Sequence, residues 1–154
     1  MKLVRAAIVL IPCLGLISCG PPEVTDGYCL DAAETPDTYN LVPCRLMKRL
    51  RGEYPPMPTD NGPFDGTVKE IGWREKWVVV RRRAHNTEGP HGWMFLKTDA
   101  KLVEGPFTDE IRAKLCTERG LSDLELWSAA DAYKLLREGT RPAQSHRCGD
   151  PSPR

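Results

Sequence analysis

The sequence predicts a small α+β domain: an antiparallel meander of three to four strands followed by two helices, stabilised by disulfides. Three observations carry this. Residues 67–97 hold three short runs rich in β-branched and aromatic side chains, separated by turn chemistry. Two later stretches open on capping residues and close on glycine. The 154-residue chain also carries six cysteines, an unusual supply for a domain large enough to bury an ordinary core.

Taken in order, Thr67 to Trp73, Lys76 to Arg81 and Trp93 to Lys97 are the three strands, and Leu102 to Glu104 is the fourth. The first connection, Arg74-Glu75, is tight; the second, Arg83 to Gly92, is a longer polar loop. Such a meander is expected to have one face covered and one partly wet. Thr108 caps a helix beginning Asp109-Glu110, with Ile111 and Leu115 on one face and Gly120 at its end. Ser122-Asp123-Leu124-Glu125 has the form of a capping box and starts a second helix from Leu124 to Arg137, ended by Gly139. Leu126, Ala130, Tyr133 and Leu136, with Trp127 beside them, form its apolar stripe.

The body therefore spans 64–139. Ahead of it, residues 28–58 form a small Cys-containing subregion, with a disulfide-closed hairpin or loop between Cys29 and Cys44 and a helical turn at Arg45 to Leu50. The prolines and glycine between Tyr54 and Pro63 break regular structure and separate this piece from the body. Residues 140–154 are a Pro/Ser-rich tail that Cys148 ties down.

The N-terminus has a different character. Lys2 and Arg5 precede an apolar run from Ala6 to Leu16. That run is too short for the roughly 20 residues a membrane-spanning helix needs, and it reads as the core of an export signal. It ends in Leu16-Ile17-Ser18-Cys19. These four residues resemble the lipobox of bacterial lipoproteins, with a large aliphatic residue at −3 and a small one at −1 before the cysteine. The resemblance covers about the first 20 residues. It implies removal of residues 1–18 as a signal peptide, acylation of Cys19, and a lipid bilayer as partner, with residues 19–27 as the tether. Gly20 stands where that family commonly has Asp for inner-membrane retention, which implies an outer-membrane address on the periplasmic side. A weaker resemblance runs over residues 67–108. There Ile71 to Arg81, Gly92 to Leu96 and Gly105 to Thr108 are similar to a pattern in small bacterial lipoproteins of no established activity.

Removing residues 1–18 leaves 136, and losing Lys2 and Arg5 leaves 20 basic against 21 acidic side chains, a net charge near −1. Nothing in that balance points to nucleic acid. Cys13 departs with the signal and Cys19 takes lipid, so Cys29, Cys44, Cys116 and Cys148 remain. Four thiols in an oxidising compartment read as two disulfides, here Cys29 with Cys44 and Cys116 with Cys148, the nearest pairs in sequence. A Cys₄ zinc site is disfavoured by the lack of any C-x₂-C pair.

For chemistry the chain offers no hydrolase elbow, P-loop, dinucleotide-binding glycine set or H-E-x-x-H helix. His85 and His91 share one polar loop, a setting in which histidines are mostly solvated, and His146 lies in the tail. No catalytic residue, cofactor or metal site is assigned. Arg81-Arg82-Arg83 is the most distinctive surface feature, with Arg81 and Arg83 on one side of the strand. Such a run also serves as a strand end that solvates itself and discourages edge-to-edge aggregation; near tryptophans it can instead anchor a partner, with Trp73, Trp77, Arg81, Arg83 and Trp93 as the candidate binding residues. The expectation is a non-catalytic outer-membrane lipoprotein that binds a protein partner in the periplasm, as an inhibitor or immunity protein against an envelope-targeting hydrolase. Its rivals are a structural accessory lipoprotein of an envelope assembly or secretion machine, and a cell-wall enzyme using Glu70, Glu75 or His91 as acid or base.

Overall fold

From Thr67 to Lys97 the apolar residues come in runs rather than in alternation. Val78-Val79-Val80 and Trp93 to Leu96 are buried on both faces of the strand, which requires a sheet covered on both sides. The computed structural model, which describes residues 21–33, 37–44, 67–83 and 91–151, has that arrangement.

The central sheet contains β4 (Thr67–Arg74), β5 (Trp77–Arg83), β6 (Gly92–Lys97), β7 (Leu102–Phe107), β8 (Glu125–Ser128) and β9 (His146–Arg147), in the order β7-β6-β5-β4-β8-β9. All of its pairings are antiparallel, with Ile71 opposite Val80 and Val79 opposite Phe95. A smaller antiparallel sheet of β1 (Glu23–Thr25), β2 (Tyr28–Ala32) and β3 (Tyr39–Pro43) covers one face together with helix α2 (Ala129–Glu138). Leu30, Leu41, Ile71, Val78, Val80 and Leu96 form that core. Helix α1 (Asp109–Glu118) and the C-terminal segment cover the other face, over Val79, Trp93, Phe95 and Leu126. Both faces of the meander are thus dry, where one was expected to be partly wet.

The α+β class, the four meander strands, the Thr108 cap and both disulfides, Cys29–Cys44 and Cys116–Cys148, are present. Other expectations need correction. The capping box at Ser122 starts no helix: Glu125–Ser128 is a strand paired to β4, and α2 begins at Ala129, capped by Ser128 through the amide of Asp131. Gly72 explains the strand, because a Cβ there would lie 2.3 Å from the Glu125 carbonyl oxygen. Only glycine lets β8 approach β4 this closely. In α1 the inward residues are Arg112 and Cys116, whereas Ile111 is exposed.

The hairpin β2–β3 joins the core of the body rather than standing apart from it. The tether expectation also shortens, since Glu23 to Thr25 are a strand and the Pro22 carbonyl accepts from the Leu30 amide. The tail is held at its Cys148 and Gly149 amides, which donate to the Leu124 and Ser122 carbonyls. The signal peptide, Cys19, the turn at Arg45 to Leu50, the Pro-rich break and His85 lie outside the described residues.

Candidate functional site

One end of the central sheet, where β4 and β6 begin and β5 ends, opens into a groove of about 640 Å³. Its first wall is β5 with Arg81, Arg82 and Arg83, joined by Lys69 and Glu70 of β4. Its second wall is the start of α1, with Thr108, Asp109 and Glu110, and Trp93, Pro106 and Phe107 form the floor. His91 and Gly92 complete the rim.

The strand pleat sets the geometry of the basic wall. Arg81 and Arg83 project on the same side as Val79, both exposed, while Arg82 points to the opposite face. Consecutive same-side positions on a strand are about 6.6 Å apart, so Arg81 and Arg83 leave the strand in a row on the side that lines the groove. Arg81 is steadied by Glu70 at 3.3 Å, and the other Glu70 carboxylate oxygen lies 3.9 Å from His146 Nδ1. Among the described residues Arg82 and Arg83 form no ion pair.

The acidic wall belongs to a helix start. Thr108 Oγ1 accepts from the Ile111 amide, and Asp109 and Glu110 occupy the first turn, where the exposed ends of the backbone N–H groups favour negative charge. Hydrogen bonds from its own backbone amide and the Thr108 hydroxyl hold the Glu110 carboxyl below the usual carboxylate value. Asp109 accepts from the Trp93 indole N–H at 2.7 Å and stands 3.8 Å from Arg112. That indole bond is one of the contacts that hold α1 over the sheet.

Beneath the floor lies Arg112, fully buried. Its guanidinium sits 4.8 Å from the centre of the Trp93 ring and donates to the carbonyls of Cys148 (2.7 Å), Asp150 (2.6 Å) and Arg147 (3.3 Å). Burial pulls its pKa below the ordinary arginine value, and the carbonyl cage compensates the buried charge.

The five expected binding residues part company. Arg81, Arg83 and Trp93 meet at the groove, but Trp93 is only 1% exposed, which makes it a floor rather than an anchor a partner could grip. Trp73 packs against Trp127 at 5.3 Å on the opposite face. Trp77 lies at the far end of β5 under Arg119, whose guanidinium is 4.8 Å from its ring. Of the expected acid/base residues, Glu70 and His91 line the groove, whereas Glu75 sits in the β4–β5 turn. Sequence reasoning missed Asp109, Glu110 and Arg112. A first-turn pair of acids next to a capping threonine marks a helix end, and nothing local says that it faces an arginine row.

No protein-family model matches the chain, and comparison with curated proteins and with solved structures gives no match.

Proposed function

We propose that this chain is a non-catalytic outer-membrane lipoprotein, held on the periplasmic side by acylated Cys19, that works by binding a protein partner in the groove between β5 and α1. The observation that carries the reading is the row of Arg81 and Arg83 on a rigid strand, opposite the acidic start of α1. Held on a strand, the two arginines present a backbone that need not be ordered when a partner arrives, and opposed signs across a groove favour one register of the bound chain over others.

The lipobox resemblance supports the anchor. Three residues, Gly20, Pro21 and Pro22, separate Cys19 from the first strand, so an acylated Cys19 keeps the body close to the bilayer. In its more specific form, the proposed role is that of an inhibitor or immunity protein that occludes an envelope-targeting hydrolase.

The test uses the full chain, crosslinked in envelopes and isolated. A protein captured by the wild type and lost in Arg81→Gln/Arg83→Gln supports the reading; capture indifferent to both arginines refutes the groove as the site. Inhibition of the captured protein's hydrolase activity would support the more specific role, and an unchanged rate would refute it. Radiolabelled palmitate incorporation that persists in Cys19→Ser would refute the anchor.

A further inference from the structure

We infer that the groove takes an extended peptide segment of the form acidic-basic-acidic, with its two acids on Arg81 and Arg83 and the intervening base on Glu110. The inference rests on the reading of the groove as a partner site and specifies what that site recognises.

Arg81 and Arg83 are two residues apart on one face of β5, and the same-side repeat of any extended chain is about 6.6 Å. A segment lying along the groove therefore presents its residues i and i+2 in step with the two guanidiniums. An α-helical partner would have to use acids three or four residues apart for the same contacts, a spacing that the alternating segment does not carry.

The residue between the two acids points the other way, toward α1, where Glu110 is exposed in the first turn and Asp109 stands beside it. Asp109 is turned to the Trp93 indole and Arg112; Glu110 also accepts from its own amide and the Thr108 hydroxyl, but it is exposed and its carboxylate keeps acceptor capacity for the segment. A uniformly acidic segment would set a carboxylate against this wall and be repelled.

Trp93, Pro106 and Phe107 give the groove an apolar base, against which the aliphatic stems of the segment's charged side chains can lie. Glu70 contributes by steadying Arg81 at 3.3 Å; an incoming carboxylate shares this guanidinium, which has donors on more than one nitrogen.

The experiment titrates the full chain, at low ionic strength, with two capped five-residue peptides of one composition: Ala-Glu-Lys-Glu-Ala and Ala-Glu-Glu-Lys-Ala. The alternating peptide is expected to bind about tenfold more tightly than the permuted one. Arg83→Gln should weaken it several-fold, and Glu110→Gln should erase the preference between the two, while both variants still unfold in one cooperative transition, Glu110→Gln slightly earlier for the lost charge at the start of α1. Equal affinity for the two peptides, or binding suppressed equally by inorganic phosphate at matched ionic strength and unchanged in Glu110→Gln, would overturn the inference. Capture of a partner that depends on Arg81 and Arg83, with neither peptide binding, would overturn it while leaving the groove reading intact.

Discussion

Arg112 gives the sharpest test of how this fold is held together. It is the one charged side chain among the described residues with no exposure at all, and it joins α1, Trp93 and the C-terminal segment. Arg112→Leu keeps an apolar contact with Trp93 but removes every donor from the carbonyls of Arg147, Cys148 and Asp150. The Cys148 carbonyl is the buried acceptor, and losing its partner costs about 1–3 kcal/mol. The other two are partly buried and regain water, at about 0.5 kcal/mol each, and the cation–π contact adds about 0.5–1 kcal/mol. Relief from burying a guanidinium returns part of this. The net expectation is a loss of about 2–3 kcal/mol. Arg112→Lys keeps the charge without the planar fork, cannot reach three carbonyls as guanidinium does, and should lose about as much. Urea unfolding of the oxidised protein measures both, and hydrogen exchange at the Cys148 and Gly149 amides should quicken selectively. Loss below about 0.5 kcal/mol in both variants, with those amides still protected, would refute the carbonyl cage as a structural latch.

Three further outcomes follow from the geometry. Gly72→Ala places a methyl 2.3 Å from the Glu125 carbonyl oxygen and 2.8 Å from Leu126 Cδ2, so β8 must shift, at about 1–3 kcal/mol; an unchanged thermal midpoint would contradict the close approach. Asp31 has its carboxyl pKa raised above 3.8 by burial. The folded state therefore favours the protonated form, a contribution complete below pH 3.8 and lost as pH rises through the folded value. Asp31→Asn should be the more stable protein at neutral pH, its advantage shrinking toward pH 3, and an advantage that persists unchanged at pH 3 would count against this. Finally, Cys116→Ala/Cys148→Ala opens a loop of 32 residues and Cys29→Ala/Cys44→Ala one of 15. Chain entropy assigns them about 3.7 and 3.0 kcal/mol. Alkylation of the native protein should label none of the four cysteines, and labelling of any would contradict the pairing.

How much of this was legible in the sequence depends on which residues carried the signal. The meander could be read because β-branched and aromatic residues cluster in it and turns part the clusters. The error at Ser122 has a physical origin. Leu124, Leu126 and Trp127 fit a helical stripe as well as a strand, and a short apolar run does not discriminate. What decides is Gly72, about fifty residues upstream, whose missing side chain admits β8 to the sheet. Two-sided burial of Val78 to Val80 was present in the sequence as an unbroken apolar run, but its meaning depended on β1 to β3 closing over one face. The N-terminal hairpin was read as its own piece because prolines and glycine separate it along the chain, and chain separation does not prevent packing in space.

The site was harder to read because its parts carry opposite labels. Arg81 and Arg83 announce themselves as a basic run, and their shared side follows from strand alternation alone. Trp93 looked like a partner anchor because tryptophan beside arginine is a common binding signature. Its actual role follows from Arg112, a residue no hydrophobic pattern selects, which sits under the indole and commits Trp93 to the interior. With Trp93 buried, its N–H still needs an acceptor, and Asp109 supplies it. That bond, together with the Arg112 contacts and the Cys116–Cys148 disulfide, holds the acidic start of α1 at the groove that Arg81 and Arg83 line. The groove's two signs therefore share an origin: the demand that a buried indole and a buried guanidinium each find a partner brings the carboxylates of α1 to face Arg81 and Arg83.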